Sequence, residues 1–329
     1  MKLPFAYFIR KTMNPEMYHG HGQAPPFFEG WYYKLVNQDG SQRFSIIPGV
    51  FLGKDGHAFI QVLKGNIAKS TYHRFDLSEF WASEEGFEVR IGENFFSQDS
   101  IALKIDDHLG QVYGKLAFQG LKPWPVSITS PGIMGWYAWV PKMECYHGVL
   151  SFDHSIQGQL QINQEILDFS DGRGYIEKDW GQSFPAGYVW FQSNHFDTPG
   201  TSLTASVAVI PWMGNAFRGF IIGLWHQDRL YRFATYTGAK IKKLEITDDR
   251  VNWIVQDRRY RLEMAASRTE GGLLHGPTRA QMLQRVEESM SATVEIQLST
   301  RNSQVIVDSQ GGNTAMEVHG DLDRLLAMK

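Results

Sequence analysis

The chain has 329 residues, 43% of them hydrophobic and 20% charged, with a formal net charge of -3. These values exclude disordered and fibrous classes, and a mildly acidic chain without clustered Lys and Arg offers no general attraction for nucleic acid. A single cysteine, Cys145, excludes an intrachain disulfide and a Cys-rich zinc site, while the length leaves room for two domains.

The N-terminal stretch MKLPFAYFIRKTM lacks a long apolar core and a small-residue cleavage site, and no apolar run of about 18 residues occurs anywhere. The expectation is a cytoplasmic chain that does not span a membrane. His19 and His21 in YHGHG have a spacing compatible with a metal, but they sit in a Gly-flanked loop without an evident third ligand, so no metal is expected. The chain carries 10 Trp, 13 Tyr, 21 Phe and 32 Gly, a mixture that suits many short strands joined by Gly turns.

The first strand expected is FFEGWYY, after Pro25-Pro26. Phe27, Glu29, Trp31 and Tyr33 share one face of it, and Phe28, Tyr32 and Lys34 the other. A carboxylate among rings reads in two ways: desolvation keeps Glu29 protonated and able to donate, or Glu29 salt-bridges a core Arg or caps a backbone amide. Asp39-Gly40 and Asp55-Gly56 predict reversals. HAFIQVL, with Ala58, Ile60 and Val62 on one face, and GKLAF, with Leu116 and Phe118, predict further strands.

Mid-chain, Tyr175, Glu177 and Asp179 of GYIEKDWG share a strand face opposite Lys178 and Trp180. Two carboxylates about 7 Å apart along a strand can hold one of the pair protonated. The alternative is a strand-end ion cluster with Lys178. Phe184-Pro185-Ala186-Gly187 marks the expected boundary, giving domains 1–184 and 185–329 of about eight or nine strands each.

Strand-like YVWFQSNHF follows the boundary, with His195 and Asp197 either beside a pocket of the second domain or, equally, at a polar strand end. YRLEM and TVEIQLS alternate, and Thr237-Gly238 and Gly311-Gly312-Asn313 predict reversals. Two helices are expected: residues 278–290, with Met282, Leu283, Val286 and Met290 on one face, and the terminal DLDRLLAMK. No nucleotide-binding Gly motif and no Gly-x-Ser-x-Gly elbow is present, and Cys145 has no motif support as a nucleophile. The fold class expected is all-β, mainly antiparallel.

FFEGWYY, GYIEKDWGQSFP and VWFQSNHF, in this order and separation, with GPT near residue 277 and a closing VEIQL strand, resemble the tocopherol cyclase family. The resemblance implies two lipocalin-like (calycin) antiparallel β-barrels with few short helices, related to carotenoid hydratases and barrel-shaped pericyclases, and a ligand site near the junction of the barrels. It also implies closure of a chromanol ring: a prenyl alkene is protonated and a phenolic oxygen captures the tertiary cation. That chemistry calls for a dry Brønsted acid and a ring-lined pocket, with no metal and no cofactor.

Glu177, Asp179 and Glu29 are the candidate acids under this resemblance. Plant members carry Asn at the position of Asp179, which favours Glu177. Trp31, Tyr32, Tyr33, Tyr175, Trp180 and Trp190 are candidate pocket walls. Met143-Glu144-Cys145-Tyr146-His147-Gly148 departs from the plant pattern, and Glu144 and His147 are candidates to orient a polar head group. The partner implied is a hydrophobic small molecule or lipid, with room for peripheral membrane contact and no obligate protein partner. Hydration of an isoprenoid double bond and lipid carriage without chemistry remain the rival readings.

Overall fold

Period-two alternation governs the chain from Phe27 onward, so nearly every buried apolar residue lies on a strand. The computed structural model describes residues 5–328, with side chains from residue 6. None of its helices is long and apolar enough to cross a membrane. The chain divides into two compact units, residues 1–184 with 273–285, and residues 185–272 with 286–329.

The first sheet contains β1 (Phe27–Val36), β2 (Arg43–Leu52), β3 (His57–Lys64), β4 (Lys69–Phe75), β5 (Phe80–Ala82), β6 (Glu88–Ile91), β7 (Asn94–Ser97), β8 (Ser100–Asp107), β9 (Gly110–Gln119), β10 (Cys145–Ile162), β11 (Glu165–Asp168) and β12 (Gly172–Gly181). Its path runs β4-β3-β2-β1-β12-β10-β9-β8-β7-β6-β5, with β11 beside β10, and every pairing is antiparallel. One apolar cluster draws on both ends of this path, from Ile60 of β3 to Val89 of β6, so the sheet curls around its own core. Helix α1 (Phe5–Met13), which the sequence reading did not anticipate, precedes the sheet.

The second sheet contains β13 (Gly187–Ser193), β14 (His195–Phe196), β15 (Thr201–Trp212), β16 (Asn215–His226), β17 (Arg229–Ala234), β18 (Lys240–Ile246), β19 (Arg250–Gln256), β20 (Tyr260–Ser267), β21 (Gly272–Pro277), β22 (Met282–Thr300) and β23 (Val305–Gly320). It is likewise antiparallel and surrounds a separate core that includes Phe191, Trp253 and Leu298. The all-β expectation holds, with more strands per sheet than the eight or nine foreseen, because short strands such as β5, β11 and β14 leave little trace in the sequence. The terminal helix is present as α2 (Leu322–Ala327), capped by the Asp321 side chain accepting from the Arg324 N–H.

Two expectations fail. Residues 278–290 are not helical; from Met282 they enter β22. Positions 282, 286 and 290 share a face in a strand as well as in a helix, and Leu283, whose place on that face needed a helix, is exposed. Gly311-Gly312-Asn313 does not reverse the chain but sits inside β23, where the pairing with β22 slips. Gly and Asn serve there for a bulge, with Asn313 at φ 46°.

Candidate active site on strand β12

Strand β12 lies between β1 and β10, and its two faces carry different chemistry. Ile176 and Trp180 enter the first core, and Lys178 lies on their side of the strand. The other face carries Tyr175, Glu177 and Asp179. Register sets Tyr32 of β1 opposite Glu177, and His147 of β10 opposite Asp179. Directly opposed residues share a face, so strand pairing alone assembles the group. Gly181 ends β12 at φ 151°, and a Cβ there would lie 2.3 Å from the Glu144 carbonyl oxygen, so only glycine lets β10 approach.

On the core side, Lys178 and Glu29 are both fully buried and paired. The Lys178 ammonium also donates to the Met17 carbonyl and to Nδ1 of His19 at 3.0 Å. It lies over the rings of Trp31 and Trp180, at 5.0 and 4.7 Å. The His19 backbone N–H donates to Glu29 Oε2 at 2.8 Å. Burial would raise the Glu29 pKa, but Lys178 and His19 outweigh it and hold the carboxyl below its usual range. Burial, followed by Lys178, drives His19 down to about 4. The ring is therefore neutral, accepting at Nδ1 and donating from Nε2 to the Lys11 carbonyl at 3.1 Å. Glu29 is thus corrected from candidate acid to ionised partner of Lys178, a cation 149 residues away in sequence.

On the opposite face, His147 Nδ1 donates to Asp179 Oδ1 at 2.8 Å, and its Nε2 faces Glu177 Oε2 at 3.5 Å. Nε2 is buried without a hydrogen-bond partner. Tyr175 donates its hydroxyl to the same Glu177 oxygen at 2.5 Å. Burial would lower the His147 pKa, but Glu177 and Asp179 outweigh it and raise it to about 9, so the ring is an imidazolium at neutral pH. The repulsion expected between two bare carboxylates is relieved by this cation between them. Burial, Asp179 and Glu144 push the Cys145 thiol up, so it stays protonated and is no nucleophile.

One donor atom each from His147, Glu177 and Asp179 lies within 4.8 Å of the others, a grouping that has the donor types to hold a metal ion. An imidazolium cannot ligate, so any metal there would first displace its proton.

The remaining sequence candidates scatter. Trp31 and Tyr33 are core residues at 0% exposure, with the Tyr33 hydroxyl donating to the Ser97 carbonyl at 2.7 Å. Trp180 stacks between His19 and Tyr146, at 4.1 and 5.4 Å between ring centroids. Tyr32 and Tyr175 lie on the Glu177 face. Trp190 is buried on β13 of the second unit, on the side opposite Val189 and Phe191 of that unit's core. Glu144 lies 3.8 Å from Arg279 and not within the His147 group. His195 Nδ1 contacts Asn194 Oδ1 at 2.9 Å.

Residues 111–320 match the model of the tocopherol cyclase-like family. The chain belongs to that family. A chloroplastic tocopherol cyclase of Zea mays is 21% identical over 378 residues, which cover 92% of this chain and 77% of the maize protein. Among solved structures, the crystal structure of CghA with Sch210972 superposes with a TM-score of 0.55 at 11% identity, covering 90% of this chain and 89% of CghA. That likeness shows the shared fold.

Proposed function

We propose that this family member is an enzyme that protonates an alkene of a hydrophobic isoprenoid substrate and closes a ring on the resulting cation, with Glu177 as the acid. The observation that carries the reading is the half-buried imidazolium of His147 held between Asp179 and Glu177. An alkene is a very weak base, so the acid needs a dry setting and a nearby proton store. Glu177 is 4% exposed and Tyr175 is fully buried, which supports the first requirement. The His147 Nε2–H, 3.5 Å from Glu177 Oε2, supports the second.

The steps balance without a co-reactant. The His147 Nε2 proton first passes to the Glu177 carboxylate, and the O–H bond so formed breaks as a C–H bond forms on the less substituted alkene carbon, leaving a tertiary cation. A phenolic oxygen of the same substrate attacks that cation, forming the C–O bond. The phenol proton passes to the Glu177 carboxylate, directly or through His147, and the product keeps the substrate's mass. The Tyr175 hydroxyl stabilises the carboxylate left after proton transfer, and the ring of Tyr32 beside Glu177 suits stabilisation of the cation.

The test is incubation of the purified protein with prenylated quinols, followed by mass spectrometry and chromatography of the products. A chromanol of unchanged mass is expected. A product heavier by one water would replace ring closure by hydration, and recovery of intact bound quinol would replace the enzyme by a carrier.

A further inference from the structure

A second feature of the first unit lies outside the Glu177 group. A cavity of about 160 Å³ opens where the turns β3–β4, β8–β9 and β10–β11 meet. Its inner wall is apolar: Val62, Val112 and Ile162 are each 3% exposed. Ile67 and Leu109 stand at its walls 51% and 42% exposed, an uncovered apolar surface beside an apolar hole. Lys64 and Lys69 also line it, and among the described residues neither has an acidic group within ion-pair distance.

The polar part of the wall is fixed. Thr71 Oγ1 and His73 Nε2 are 2.8 Å apart, and His73 Nδ1 lies 2.8 Å from Asp107 Oδ2. Asp107 is itself held by the Leu109 N–H at 2.8 Å. Within this chain of contacts His73 is 1% exposed and Thr71 half-buried, while Asp107 is exposed.

The geometry points to a binding site for a small carboxylate with an apolar body, the body seated on Val62, Val112 and Ile162 and the carboxylate held by Lys64 and Lys69. An apolar protein cavity of about 150 Å³ accepts benzene, which sets the size of the body. The two lysines set the sign of the head. None of these residues belongs to the proposed catalytic group, so the site stands or falls independently of turnover.

The experiment is calorimetric and NMR titration of the full-length protein with benzoate, benzyl alcohol and benzylamine. Benzoate is expected to bind saturably, at least about tenfold tighter than benzylamine, and to shift the amides of β3, β4 and β9. The surface pair Lys64→Gln with Lys69→Gln should weaken benzoate by about tenfold and leave benzyl alcohol unchanged. Ile162→Trp should fill the cavity and abolish both. If that variant fails to fold, Leu109→Asp, on an exposed turn, should weaken both. Absence of saturable benzoate binding, equal affinity for benzylamine, or indifference to the lysine substitutions would each overturn the assignment.

Discussion

Three consecutive residues of one strand, Glu177, Lys178 and Asp179, end up in two unlike electrostatic settings. Lys178 and Glu29, both at 0% exposure, form a closed system in which a fixed cation, a fixed anion, the neutral imidazole of buried His19 and backbone groups satisfy one another. Glu177 and Asp179 form an open one, sharing a single imidazolium whose Nε2 has no hydrogen bond. The difference teaches that burial of a carboxylate does not by itself make an acid. A carboxylate with a dedicated cation stays ionised, whereas one that shares a titratable cation has a proton within reach.

The largest effect should come from breaking the closed system. Lys178→Met leaves Glu29 buried without its cation and should cost about 3–5 kcal/mol of unfolding free energy, read by urea denaturation. Adding Glu29→Gln to that variant should recover part of the loss, because the orphaned charge is removed. The open system should respond in the opposite manner. Glu177→Gln should lower turnover by about 10²- to 10⁴-fold while shifting stability by only about 1–2 kcal/mol. If the substitutions exchanged these phenotypes, the roles of the two faces would be reversed. A smaller effect is expected from Tyr175→Phe, which removes the 2.5 Å bond to Glu177 and should slow turnover about tenfold with the fold intact.

Much of this fold is legible in the sequence because period-two alternation and Gly turns act locally: Ala58, Ile60 and Val62 do share the core face, as do Val294, Ile296 and Leu298. The site is less legible. A ring that fills a core and a ring that faces a ligand leave the same sequence signal, and Trp31 and Tyr33 proved to be the former. Glu29 was ambiguous because its partner arrives through the β1–β12 pairing. His147 was singled out for its residue type, but its position opposite Asp179 depends on a register that slips near Val149 and Ser151. The Thr71-His73 pair could have been found by its spacing, which places both side chains on one face of β4 beside Phe75; the polar look of KSTYHRF hid it.

The comparison sharpens most finely with pH, since the two imidazoles should fail at opposite ends of the scale. His147 is raised in the fold, from its ordinary 6.5 to about 9. Its contribution to stability is therefore fully present below about pH 6.5 and is lost as pH rises through 9. His19 is depressed to about 4, so the fold resists its protonation. Stability should accordingly fall as pH drops from about 6.5 through 4, because the unfolded chain takes up a proton that the native ring refuses. Thermal unfolding of the wild type, His147→Gln and His19→Gln across this range separates the two. His147→Gln should flatten the alkaline side alone and His19→Gln the acid side alone. Flattening of the same side by both would mean that one network, and not two, spans β12.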